Sequence, residues 1–298
     1  MTDTDPRPVV VGVDGSEGSR AAQSWAVTEA TDGGCPLHLL CAWQFETAEP
    51  MAPLLPSFED ECRAIVEAAS ADAKTASPQI KVRGSVVHSQ PAAALIEASR
   101  DAELVVVGSR GLGEVKQLLV GSISMQVAAH ALCPVVVVRA VAEQPRPPGR
   151  IVVGVDGSPL SVEATGFAFE RAARRGLGLT VLHAWDPTFY NSGVALTALT
   201  EAWDDLEFEQ KTATAAAIAE WAEKYPDVDV QLHVTSGRPA DLLVDASENA
   251  ALVVVGSRGR GGFTGLLLGS VSRNVLNRAL CPVAVVRPSD RAGMGDAR

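Results

Sequence analysis

Two stretches of this chain hold the same small residues at the same spacing. Gly108-Ser109-Arg110-Gly111 is followed by Gly121-Ser122, and Gly256-Ser257-Arg258-Gly259 by Gly269-Ser270, with nine varied residues between the halves each time. A packed core would fix apolar positions. Fixed glycines instead mark a loop that wraps something small. Glycine lets backbone amides approach an anion and tolerates positive φ. The Gly-Ser pair is placed to open a helix, whose first-turn amides and partial positive charge favour phosphate by about 0.3–1 kcal/mol at an exposed site. The hydroxyls of Ser122 and Ser270 add donors. Arg110 and Arg258 are candidates to neutralise phosphate, or equally to pair with a surface acid. A second feature accompanies each loop: Asp14 and Asp156 are the first acids after apolar runs and stand in repeated Gly-Val-Asp-Gly-Ser turns. Facing a shared crevice, either carboxylate could accept from a base amine or a ribose hydroxyl. Neither copy contains GxxxxGK[ST], and no GxGxxG follows a first strand, so a P-loop and a nicotinamide dehydrogenase are not expected.

The elements that would position these residues are also written twice. Val9–Gly15 matches Ile151–Gly157, Cys41-Ala-Trp matches His183-Ala-Trp, and Cys133-Pro matches Cys281-Pro, the second copy being six residues longer between Trp185 and Gly256. The repeat is too long for a solenoid and means two domains of one fold. We expect domain one over 1–143, a proline-rich linker over 144–150 and domain two over 151–298. In copy one, strands are expected at Val9–Val13, Leu37–Ala42, Val82–Val87, Leu104–Val107 and Val135–Val138. Ser16 is a candidate N-cap for a helix that Gly33-Gly34 ends. Further helices are expected around Ile65–Ala73, from Pro91 with Leu95, Ile96 and Ala98 inward, and around Ile123–Ala131, marked by Ile123, Val127, Ala128 and Ala131. Gln44–Phe58, with three prolines, reads as a loop. In copy two the strands are Ile151–Val155, Leu179–Ala184, Val228–Val234, Leu252–Val255 and Val283–Val286. The alternation of Val228, Val230, Leu232 and Val234 with polar residues fits a half-exposed strand near an edge. Strands separated by helices imply parallel βαβ units, hence two doubly wound, Rossmann-like α/β domains. In such sheets ligands bind beyond the carboxyl ends of the strands, where strand order reverses.

Composition narrows the function classes. The 298 residues are 47% hydrophobic, enough for two real cores, and carry a formal net charge of -11. That balance argues against a general nucleic-acid surface or a polybasic membrane surface, though not against a local phosphate site. No run is long and apolar enough to span a bilayer. The start of the chain lacks a basic region followed by an apolar stretch, so a cytoplasmic location is expected. The five cysteines form no CxxC pair, and the five histidines form no metal-spaced pair. Cys133 and Cys281 read as small buried hydrophobes. No catalytic or metal-binding residue is assigned.

At these residues the chain resembles the universal stress protein family in its tandem form, and the layout is similar to actinobacterial members. The family's ATP signature, G-2x-G-9x-G-[ST], matches Gly108, Gly111, Gly121 and Ser122, and again Gly256, Gly259, Gly269 and Ser270. The family's early aspartate, which contacts adenosine, corresponds to Asp14 and Asp156. The strand-two end that touches adenine corresponds to Ala42 and Ala184. The resemblance implies strand order 3-2-1-4-5, ATP with or without magnesium as ligand, and a fifth strand that pairs across a dimer interface. Here that implies an internal pseudo-dimer of the two domains and a homodimer beyond it. One departure concerns the loop before helix three: Ser236-Gly237-Arg238-Pro239 keeps the family's glycine, while His88-Ser89-Gln90-Pro91 has Ser89 instead. The expected function is an ATP-binding regulator of the stress response with two sites per chain. The competing expectations are a slow ATPase or nucleotide-alpha transferase, and an interaction module that has lost its ligand.

Overall fold

Apolar runs of four to seven residues, bounded by glycine and polar turns, become strands covered on both faces. The protein is represented by a computed structural model that describes residues 6–44, 55–111, 120–140, 149–185, 199–260 and 267–288. The chain divides into two compact units, the first ending at Ala142 and taking in Pro288, the second spanning Glu143–Arg287. In the first unit the order is β1 (Val9–Gly12), α1 (Glu17–Gly33), β2 (Leu37–Trp43), α2 (Leu55–Ala76), β3 (Val82–His88), α3 (Pro91–Ala98), β4 (Leu104–Gly108), α4 (Ser122–His130) and β5 (Val135–Val138). In the second it is β6 (Arg150–Val155), α5 (Pro159–Arg175), β7 (Leu179–Trp185), α6 (Leu199–Lys224), β8 (Val230–Ser236), α7 (Pro239–Ala246), β9 (Ala250–Gly256), α8 (Ser270–Arg278) and β10 (Val283–Val286).

Within the first unit the strands run β3-β2-β1-β4-β5, and within the second β8-β7-β6-β9-β10. All of these neighbours are parallel. In the first unit, α1 and α2 lie side by side against the sheet, and α3 packs with α4; α5 with α6 and α7 with α8 repeat this in the second. The chain leaves β1 toward β2 and later returns to the other side of β1 as β4. The crevice created by that reversal lies between the turn after β1 and the loop after β4. The expected strand order and fold class therefore hold in both units.

Local chemistry explains the element ends. Ser16 accepts from Ser19 N–H at 3.1 Å and caps α1, and Gly34 closes that helix in the left-handed conformation, φ 62°. Ser158 and Gly176 do the same for α5. Strands β1, β4 and β5 are buried almost throughout: Val9, Val10, Val11, Val105, Val106, Val135 and Val136 are at most 1% exposed. A sheet sealed on both faces needs no alternation.

Four expectations need correction. Helix α2 begins at Leu55, inside the stretch expected to be a loop, with Pro56 in the first turn, where its missing N–H leaves no bond unmade. The rest of that stretch beyond Gln44, and 186–198 in the second unit, lie outside the described residues. Ile123 faces outward at 39% exposed, while the adjacent Ser124 is buried. Val228 precedes β8 rather than belonging to it, and Leu232 within β8 is exposed, as suits a strand at the margin of its own unit's sheet. Ile96 and Ala98 on α3 are half-buried; Ala94 and Leu95 carry the core contact.

Leu104 is fully buried at the start of β4. Leu104→Ala should lower the stability of the first unit by about 2–5 kcal/mol, read as a leftward shift of its urea transition.

Candidate functional site

The strands deliver two loops to each crevice, and the sequence makes those loops touch. Asp14 follows β1 and accepts the Ser16 N–H at 3.0 Å through one carboxylate oxygen. Its other oxygen, Oδ2, lies where a Cβ on Gly111 would sit. The same holds in the second unit. Asp156 accepts Ser158 N–H at 2.9 Å through Oδ1 and Arg260 N–H at 2.9 Å through Oδ2. A Cβ on Gly259 would collide with that second oxygen. A side chain in place of either glycine would push the facing carboxylate aside, a constraint separate from any ligand.

Burial opposes ionisation of Asp156. The hydroxyl and N–H of Ser158, the N–H of Arg260 and the hydroxyl of Ser161 outweigh it, and the carboxyl is held below its ordinary value. The side chain is therefore a charged acceptor at neutral pH, half-exposed at the crevice mouth.

The base of each glycine loop is closed by backbone bonds. Ser109 N–H donates to Val138 O at 2.6 Å, and Gly121 N–H donates to Ser109 O at 2.8 Å. Ser257 and Gly269 repeat this with Val286 O and Ser257 O, at 2.7 and 2.8 Å. The residues between, 112–119 and 261–266, lie outside the described residues. Gly121 and Gly269 are the N-caps of α4 and α8, and neither helix has a side-chain cap. The first-turn amides of a helix have no intrahelical acceptor. Ser122 and Ser270, the first residues of these helices, are both exposed.

Ser124 and Ser272 were not singled out from the sequence. Each is buried, and its hydroxyl donates to the carbonyl of Gly108 or Gly256 at 2.6 Å, tying the helix to the strand end. The signal was present: Gly-Ser-Ile-Ser and Gly-Ser-Val-Ser keep the second serine as faithfully as the first.

The two units differ in how their loops meet. Gly18 on α1 packs so closely that a Cβ there would strike the Arg110 carbonyl. Leu160 stands at the matching place on α5, with its Cβ 3.2 Å from a Cβ placed on Gly256. Arg110 is half-buried and Arg258 exposed. Arg287, just after β10, has its proton affinity lowered by burial and then by the nearby Arg258 guanidinium.

At the strand-two end, Ala42 and Ala184 are half-buried and pair in register with Val87 and Thr235. The preceding residue differs between units, and so does its partner. Burial and the facing Cys62 thiol both push the Cys41 thiol up, so it remains protonated. His183 instead lies 2.9 Å from Val155 O through Nδ1 and 3.1 Å from Gln210 Oε1 through Nε2. Cys62 and Gln210 occupy matching places on α2 and α6, so the pair changes as a unit. Cys133 and Cys281 are buried, as expected of small hydrophobes, and burial raises the Cys133 thiol to about 12. Trp43 packs on His88 with ring centroids 4.5 Å apart. In the loop before helix three, Ser89 and Gly237 make the same bond, N–H to the carbonyl of Trp43 or Trp185, at 3.0 Å. Gly237 does so at φ 146°, a backbone open to glycine and closed to serine.

With this geometry in hand, comparison with known proteins is decisive. The universal stress protein family profile matches residues 6–139 and 148–287. The chain belongs to the universal stress protein family. It is 41% identical over 292 residues to a universal stress protein of Mycobacterium tuberculosis, covering 94% of this chain and 97% of that one. A universal stress protein of Mycolicibacterium smegmatis is 38% identical over 291 residues, with 94% and 97% covered. A crystal structure of a universal stress protein from Archaeoglobus fulgidus superposes with TM-score 0.70 at 21% identity, covering 94% of this chain and 98% of that one, which supports the fold. This universal stress protein thus has the family domain twice. Among its described residues no helix is long and apolar enough to cross a membrane.

The Asp156 carboxyl titrates below its ordinary 3.8 when folded. Its contribution to stability is complete above that value and is lost as pH falls through the lower folded value. Asp156→Asn should therefore destabilise the second unit at pH 7, and the difference from the parent should shrink below about pH 3.8 in a pH series of urea transitions.

Proposed function

We propose that this universal stress protein binds ATP at two sites per chain, one in each strand-end crevice, and acts as a nucleotide-responsive regulator of the stress response. The observation that carries the proposal is a helix N-terminus without a side-chain cap beside a glycine loop and opposite a carboxylate, present in both units. The backbone amides of α4 and α8, with Ser122 and Ser270, supply donors for a phosphate chain. Gly108 and Gly111, or Gly256 and Gly259, leave room for its close approach, and Arg110 and Arg258 balance its charge. Asp14 and Asp156 accept from the sugar or base, and Ala42 and Ala184 present backbone to adenine. The matching family signature, complete in both copies, supports the same ligand. Magnesium bound to the phosphates would travel with ATP; the proposal assigns it no protein ligand.

A regulatory role suits a site read mainly through backbone and fixed charge. We assign no general base: His183 is engaged on two polar partners of its own unit, and the Cys41 thiol is held protonated. A cytoplasmic homodimer, with the two domains joined by the linker over 144–150, is the working assembly.

Calorimetric titration of the full chain with ATP should give two equivalents. Gly111→Val should remove one and leave the other, and Gly259→Val should do the converse, because each new side chain meets the facing aspartate. Retention of both equivalents in either variant, or no heat of binding by the parent, would overturn the proposal. Steady turnover of ATP to ADP at rates of about 1 s⁻¹ or more, typical of enzymes, would favour the ATPase reading instead.

A further inference from the structure

The two crevices share a plan but place their cations differently. In the first unit the turn after β1 is covered from its own helix: Arg20 of α1 donates through Nη1 to Gly15 O at 2.7 Å. The side chain of Ile65 on α2 lies 3.4 Å from where a Cβ on Gly15 would be. In the second unit Val162 stands at the place of Arg20, and the cation comes from the opposite loop. Arg260 follows Gly259, donates its N–H to Asp156 Oδ2 at 2.9 Å, and lays its guanidinium over Gly157. Gly157 is left-handed at φ 75°, and any side chain there would meet that guanidinium. The matching residue in the first copy is Leu112.

Arg260 also has cationic company. The Arg258 Cα lies 3.4 Å from where a Cβ on Gly269 would sit, beside the N-terminus of α8. Arg287 follows Val286, whose carbonyl accepts Ser257 N–H at the base of the loop. The second crevice therefore has Arg258 and Arg260 on its glycine loop, with Arg287 near Arg258 at the end of β10. The first gathers Arg110 and Arg139 at the corresponding places, while Arg20 is engaged on a turn carbonyl.

We propose that Arg260 is a specificity-determining residue: it makes the second crevice select adenine nucleotides by the charge of their phosphate chain, favouring ATP over AMP more strongly than the first crevice does. The inference rests on the nucleotide reading above. The attraction grows with each added phosphate. Adenosine and the first phosphate are already served by Asp156, Ala184 and the α8 amides, so Arg260 acts on what lies beyond them. Because the guanidinium leaves the β6–α5 turn to meet phosphate, the N–H of the same residue can keep its bond to Asp156.

The test uses the full chain carrying Gly111→Val, so that only the second crevice binds. Affinities for ATP, ADP and AMP are measured by calorimetry at low and moderate salt. Arg260→Leu should lower the ATP-to-AMP affinity ratio by about tenfold, the scale of one charge-assisted hydrogen bond, leave AMP affinity within about twofold and weaken the salt dependence of ATP binding. Arg260→Lys should keep most of the ratio. In the reciprocal background, Gly259→Val, introducing Leu112→Arg should raise the ratio of the first crevice. Equal losses for ATP and AMP in Arg260→Leu, or an unchanged ratio, would overturn the assignment. Failure of the unsubstituted chain to bind any of the three nucleotides would overturn the nucleotide reading, and the assignment with it.

Discussion

A carboxylate at the end of a buried strand meets a glycine in the loop opposite, and each domain is arranged around that meeting. Asp156 accepts the Arg260 N–H and so bonds the two chain segments that leave β6 and β9, and Asp14 lies against Gly111 at the matching place in the first domain. The parallel sheet supplies the strand ends, the serine caps fix where α1 and α5 begin, and the buried Ser124 and Ser272 fix α4 and α8 against the strand carbonyls.

That constraint changes the meaning of the glycine signature. A glycine in such a loop is usually credited with making room for phosphate. Here Gly111 and Gly259 also face the protein itself, because a side chain at either would displace a carboxylate oxygen. Gly108 has a different neighbour, the backbone of Gly18, and this close approach is missing in the second domain, where Leu160 stands. One signature can therefore be intact in both copies while the surfaces behind it diverge. The paired exchange of Cys41 and Cys62 for His183 and Gln210 shows the same divergence at the ends of β2 and β7.

Much of this was legible in the sequence because the chain is duplicated. Repetition at fixed spacing separated Asp14, Gly108, Gly111, Gly121 and Ser122 from residues that merely pack, and β/α alternation indicated the parallel, doubly wound class, while the strand order came only with the family resemblance. What escaped notice did so for physical reasons. Ile123 looked like a core residue by helical spacing, but the first turn of α4 lies at the crevice rim, where the inward place belongs to Ser124 and its bond to Gly108. The start of α2 at Leu55 was hidden by prolines that a helix tolerates in its first turn. The role of Arg260 could not be read from spacing at all: it depends on a guanidinium folding back over Gly157, a contact between residues far apart in the chain.

The central claim is that each domain of this universal stress protein holds one ATP between its aspartate and its glycine loop. Native mass spectrometry of the full chain, titrated with ATP and then compared with the denatured protein, tests this most directly. The account predicts two successive mass increments of one nucleotide per chain, both lost on denaturation. A chain that never gains mass at saturating ATP, or gains it equally when both Gly111 and Gly259 are replaced by valine, would contradict it.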